Sequence, residues 1–257
     1  MKRFQKPQFI SVAAGILFLV IMFQNMSLVE FASLNISTVD ERSRRVQARE
    51  LLGDYYRGSF AQKLEGQEYL NYLVFRKLKG SLGPEWETSI PAITQVLISE
   101  SKRHHFDPVF ILAIMQTEST FNTNAVGTSG EIGLMQILPR TAQWIAKKYG
   151  MPWTGDDSLF DPTTNIRIGI QYFAHLRSDF DKSAHHYVPA YNMGPTNIRK
   201  LERNIASTGA DFRLVRPQYA AKVLKNYAAI YRQMTVQQSS LDTFDSESTV
   251  KEESISR

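Results

Sequence analysis

An all-α fold is predicted for this 257-residue chain, and three observations predict it. Apolar residues between about 40 and 234 recur at spacings of three and four. Helix starts are marked by Asp-Pro or Pro and stops by Gly, with short loops between them. No run alternates with the period of two that a strand needs, and no internal repeat is present.

The first element is set by charge. Lys2, Arg3 and Lys6 make residues 1–7 a basic tip, and no charged residue follows from Pro7 to Val29. A helix over 8–29 would be about 33 Å long, enough for a hydrocarbon core of about 30 Å. Positive charge before the span holds the tip in the cytoplasm and exports the rest. A cleaved signal peptide is the competing reading. A cut after Ala32 would put Glu30 where a small residue belongs, so a retained anchor is favoured. The expectation is a single-pass inner-membrane protein with its body in the periplasm.

Residues 30–89 read as a helical juxtamembrane segment. Leu51, Leu52, Tyr55, Tyr56 and Leu64 fall at helical spacing, as do Tyr69, Tyr72, Leu73 and Leu78. This segment either packs on the main domain or, through residues 40–80, meets a cell-envelope protein. Gly53, Gly58 and Gly66 disfavour a long coiled coil. Gly80 to Pro84 is a breaker and a candidate boundary.

Residues 90–234 then read as helix after helix. One covers the stretch from Pro91 to His105. The next is capped by Asp107 and opened by Pro108. Another runs from Pro139 to Gly150, and further helices follow Asp161-Pro162, Pro195 and Pro217. The tail, 235–257, has little to bury and is expected to be disordered.

Composition narrows the chemistry. The formal net charge is +5, which suits an anionic partner, but no Lys/Arg cluster is interleaved with aromatics, so nucleic acid is disfavoured. Without cysteine there is no disulfide, thiol nucleophile, zinc-thiolate site or lipidated N-terminal cysteine. His104-His105 and His185-His186 are adjacent pairs, and neighbours on a helix point apart, so neither implies a metal. No cofactor is implied. Trp144 and Trp153 read as core residues, with sugar platforms the alternative reading.

The informative stretch is Val109 to Asn122. Seven apolar residues lead to Glu118, which a buried helix end would deprive of water. Desolvation and the negative end of the helix dipole both raise a carboxyl's pKa there, as a general acid requires. A glutamate that ends a helix and points to solvent is the alternative. The loop that follows is polar, with Gly127, Gly130 and Gly133, and enters the next helix through Leu134, Met135 and Gln136. Further on, Tyr191 and Asn192 precede a Gly-Pro turn. Sugars need that mixture of aromatic or methyl faces and amides.

The run from Glu118 to Ala142, with Ala190 to Pro195 and Gln218 to Tyr231, resembles the transglycosylase SLT domain of family 1 lytic transglycosylases. Their E-S, G-L-M-Q, A-Y-N-x-G and final-helix Tyr motifs all occur here, in order. The resemblance covers about residues 90–234. It implies a lysozyme-like helical fold and peptidoglycan glycan strands as the partner. It also implies cleavage of the bond between N-acetylmuramic acid and N-acetylglucosamine to a 1,6-anhydro end, with Glu118 as the one acid/base. On the same resemblance Ser119, Met135, Gln136, Tyr191, Asn192 and Tyr219 contact substrate or orient the acid. Glu131 departs from the family, where many members carry a small residue. It is expected on the loop surface; in the cleft it would shift Glu118 or act as a second carboxylate. A goose-type lysozyme-like hydrolase, with Glu131 or Asp156 holding water, and an inactive peptidoglycan-binding scaffold are the rival readings.

Overall fold

The structure, a computed structural model, describes residues 31–67, 69–212 and 217–255, with side chains through residue 237. The membrane segment expected at 8–29 lies outside the described residues, among which no helix is long and apolar enough to cross a membrane. The chain divides into two units, Met1–Ile36 and Ser37–Arg257. In the first, residues 31–33 form one helical turn, and Leu34 N–H donates to the Phe31 carbonyl at 3.0 Å.

The second unit is helical throughout. Its α-helices are α1 (Glu41–Leu52), α2 (Phe60–Lys63), α3 (Leu70–Lys79), α4 (Ile90–Arg103), α5 (Pro108–Glu118), α6 (Pro139–Tyr149), α7 (Pro162–Asp179), α8 (Ala184–Met193), α9 (Pro195–Ala206) and α10 (Gln218–Ile255). Short 3₁₀ turns stand at Gly53–Tyr56, Pro84–Ser89 and Asp156–Phe160. The expected signals act where they were read. Asp107 caps α5 by accepting from Val109 N–H at 2.9 Å, and Asp161 caps α7 by accepting from Thr164 N–H at 2.8 Å. Gly150 ends α6 in the left-handed region, φ 65°.

α5 is the axis of the fold. Every side chain from Val109 to Met115 is fully buried, which fits a helix apolar on all sides. α10 lies antiparallel against it, bonded at both ends. Tyr227 and Tyr231 hydroxyls donate to Asp107 Oδ2 at 2.6 and 2.7 Å, while Asn226 Nδ2 donates to Thr117 Oγ1 at 2.9 Å. α4 packs on α5 and α7, and α8 on α7 and α10.

The boundary expected at Gly80–Pro84 is a turn inside this unit, because α3 packs directly on α4 and α10. Of the two readings of residues 40–80, packing on the main domain is what the structure has. α1 even enters the polar core. The guanidinium of Arg44, fully buried, holds the Glu41 carboxylate at 2.6 and 2.8 Å, the Ala61 carbonyl at 2.9 Å and the Tyr231 hydroxyl at 2.8 Å. Gln47 accepts from Asp107 N–H, and Arg177 Nε donates to Glu50 at 2.9 Å. A buried charge needs such a full set of partners.

Two expectations change. The tail is not a coil: α10 continues to Ile255. No Gly or Pro follows Pro217, and extending a formed helix is cheap compared with starting one. Trp144 is not core, being 43 % exposed on α6.

Candidate active site

Glu118 is the last residue of α5. The chain then leaves the helix through Thr120 and Phe121, both in the left-handed region at φ 54° and 64°. It folds the loop 119–138 back beside the helix end. Two isolated bridges, Val126–Ile132 and Ile132–Ile137, tighten that loop. Asn165 of α7, fully buried, anchors it: Nδ2 donates to the Ile132 and Leu159 carbonyls at 2.9 and 2.8 Å, and Oδ1 accepts from Met135 N–H at 2.8 Å. Gly133 is required at the crossing. Its φ is 79°, and a Cβ there would lie 2.4 Å from the Leu159 carbonyl oxygen.

A cavity of about 370 Å³ opens between this loop, α7 and the α8–α9 turn. Glu118, Glu131, Gln136, Tyr172, Tyr191 and Asn192 are among the residues that line it. Tyr219 of α10 donates its hydroxyl to Glu118 Oε1 at 2.5 Å, and Lys222 Nζ donates to the Thr117 carbonyl at 3.0 Å. Burial pushes the Glu118 carboxyl up to about 7, and the negative charge of Glu131 adds to the rise. The Tyr219 hydrogen bond and the Lys222 charge hold it back. Burial, followed by the Glu118 charge, lifts the Tyr219 hydroxyl well above its ordinary range, so it remains a donor.

Gln136 and Tyr191 are locked by their neighbours. Gln136 Nε2 donates to the Ala125 and Gly133 carbonyls at 3.1 and 3.0 Å. The Tyr191 ring stacks on Phe173 at 4.0 Å, and its hydroxyl donates to the Met135 carbonyl at 2.8 Å. Asn192 is exposed at the cavity rim. Ser119 and Met135 do not line the cavity. Ser119 Oγ donates to the Leu134 carbonyl at 2.9 Å, and Met135 is fully buried with its sulfur against Gly169. Glu131 faces the cavity, and its Oε2 accepts from Ser129 N–H at 3.0 Å. Asp156 is exposed and is not among the lining residues.

The sequence reading did not single out Asn165, Tyr172, Lys222 or Asn226. A signal for the last two was present. Tyr219, Lys222 and Asn226 stand at i, i+3 and i+7, a polar stripe that continues into Tyr227 and Tyr231 on one face of a helix. Among the described residues no cluster of three His, Cys, Asp or Glu could hold a metal.

The site can therefore offer a carboxyl that loses and regains a proton near neutral pH, oriented by a tyrosine hydroxyl, at the wall of a cleft with polar and aromatic lining. Residues 95–211 match the family model described as "Transglycosylase SLT domain". Over 185 residues the chain is 28 % identical to the membrane-bound lytic murein transglycosylase C of Actinobacillus pleuropneumoniae serotype 5b, covering 65 % of this chain and 50 % of that protein. It is 38 % identical over 112 residues to the protein of the same name from Edwardsiella ictaluri, covering 39 % and 31 %. The chain thus spans about half the length, or less, of these curated relatives. Among solved structures, the 70 kDa soluble lytic transglycosylase of Escherichia coli is similar at TM-score 0.47 and 23 % identity, over 79 % of this chain and 38 % of that one.

Proposed function

We propose that the protein is a peptidoglycan lytic transglycosylase in which Glu118 is the single general acid/base, a reading supported by the match of residues 95–211 to the transglycosylase SLT domain. The observation that carries this reading is a buried carboxyl raised to about 7 beside a tyrosine donor in a cleft. In the first step protonated Glu118 gives its proton to the glycosidic oxygen between N-acetylmuramic acid and N-acetylglucosamine. The C1–O bond breaks and positive charge develops at C1. In the second step the muramoyl C6 oxygen bonds to C1, and its proton returns to the Glu118 carboxylate. The product is a 1,6-anhydro end, no water is consumed, and the acid is regenerated. A carboxyl near neutrality suits both steps, since it gives and takes a proton at little cost.

Tyr219 orients the acid. Gln136, Tyr191 and Asn192 meet the sugars from the cavity wall, with Tyr191 held rigid by Phe173. Ser119 and Met135 act from behind, shaping the loop through their backbone partners. We assign 1–7 as a cytoplasmic tip, 8–29 as an inner-membrane anchor and the helical unit to the periplasm. The charge pattern supports this, as does the membrane-bound description of the relatives. We read 90–234 as the catalytic region and 30–89 as the juxtamembrane region, of which 37–89 lies within the helical unit.

Glu131 favours a second reading. A carboxylate lining the same cavity could hold a water, making the enzyme a hydrolase. Mass spectrometry of products from the full chain in detergent with isolated sacculi separates the two. Anhydro-muropeptides from the wild type and none from Glu118→Gln are expected. Reducing ends in their place would sink the non-hydrolytic mechanism and implicate Glu131. Retained activity in Glu118→Gln would remove the acid from its role.

A further inference from the structure

α6 enters the cavity wall with Arg140 and Thr141, and α7 with Tyr172. One turn further along the same helix faces, at i+3 or i+4, stand Trp144 and His175. Their rings meet edge to face with centroids 4.9 Å apart. Trp144 is the largest exposed aromatic side chain of the domain, 43 % accessible, at a position expected to be core. Tyr149, also exposed, places its hydroxyl 3.1 Å from His175 Nδ1. The Lys148 ammonium lies 5.1 Å from the Trp144 ring centroid. Burial, followed by the positive charge of Lys148, lowers the His175 pKa, which favours a neutral imidazole beside the indole.

Resting on the proposed glycan substrate, we infer that Trp144, propped by His175, is a sugar-stacking platform that extends the cleft outward along α6 and α7. The occupant is a pyranose of the same strand, beyond the units held in the cavity. Three observations select it. The platform is continuous with the cavity wall through Thr141 and Tyr172, and one helical turn, about 5 Å, is close to the length of one pyranose along a β-1,4 strand. Trp144 makes an edge contact with a ring from the neighbouring helix, which fixes its plane as a platform must. The Lys148 ammonium occupies the indole face, which shows that this face accepts a positively polarised group, and the flexible lysine side chain can swing aside to yield it to a polarised C–H array. The axial hydrogens of a pyranose form such an array.

The test is binding by the full chain carrying Glu118→Gln, so that no strand is cut. The probes are glycan strands freed of stem peptides and a tetrasaccharide of alternating N-acetylglucosamine and N-acetylmuramic acid. Adding Trp144→Ala is expected to weaken strand binding about five- to tenfold, with tetrasaccharide binding unchanged. Trp144→Phe should restore most of the loss. Strand binding unaffected by Trp144→Ala would overturn the inference. So would an equal loss for both probes, or no recovery with Phe, since each would place the effect elsewhere. The proposed reaction is read separately, from the products of the chain with Glu118 intact. Wild type that binds strands but yields no anhydro ends would refute the reaction while leaving the platform standing.

Discussion

Tyr219 of α10 and Glu118 of α5 are 101 residues apart in the chain and share a 2.5 Å hydrogen bond, hydroxyl to carboxylate oxygen. That bond favours the charged carboxylate, against burial, which favours the neutral acid. Tyr219→Phe should therefore raise the Glu118 pKa further above about 7. The alkaline limb of the pH–rate profile is expected to move upward. Turnover should fall about tenfold, because the carboxyl loses its orientation and becomes a weaker acid toward the glycosidic oxygen. A pH–rate series on sacculi checks it, and a limb that moved downward would refute the assignment.

Glu118 also links pH to stability. In the folded protein its carboxyl holds a proton up to about 7, against 4.5 ordinarily. Folded chains then keep a proton that unfolded chains release, so stability falls as pH rises from 4.5 through 7. Glu118→Gln removes that liability. The variant should be more stable than wild type by about 1–3 kcal/mol near pH 8, with the difference vanishing near pH 4. Urea denaturation at the two pH values measures it.

Glu131 acts through space. Its negative charge raises the Glu118 pKa, so Glu131→Gln should lower it and shift the alkaline limb of activity downward. If the non-hydrolytic mechanism holds, anhydro ends remain the product and only the profile moves. Any reducing ends made by the wild type should disappear in this variant if Glu131 holds water.

Asn165 is a structural hub with a catalytic consequence. Asn165→Ala would leave the Ile132 and Leu159 carbonyls and Met135 N–H without that partner inside the fold. A cost of about 3 kcal/mol or more is expected. Loop 119–138 should loosen ahead of global unfolding, visible as faster amide exchange at Ile132 and Met135.

What was legible in the sequence was local. Asp107-Pro108, Asp161-Pro162 and Pro139 with Gly150 each carry their cap chemistry within a few residues, so α5, α6 and α7 fall where expected. The start of α8 was not legible. Pro189 sits inside that helix, where a proline ordinarily marks a break, and packing on α7 and α10 overrides it. Helical spacing placed Trp144 on a face, but whether another element covers that face depends on packing far away in sequence. Ser119 and Met135 were assigned to the right loop. Which way their side chains turn depends on Leu134 and Gly169, and spacing carries no such information. Residues 40–80 showed an apolar pattern, yet Arg44 and Gln47 are buried because their partners, Tyr231 and Asp107, come from elsewhere in the chain.

The antiparallel pairing of α5 and α10 bears on how this chain can be cut and recombined. The family match ends at residue 211, before α10 begins. A fragment trimmed to that match would keep the acid and lose Tyr219, Lys222 and the two tyrosines that hold the far end of α5. Transplants into other hosts need the stretch from 37 through at least Met234, which is buried on α10, as the inheritable piece, with the segment before the match and the helix after it travelling as one.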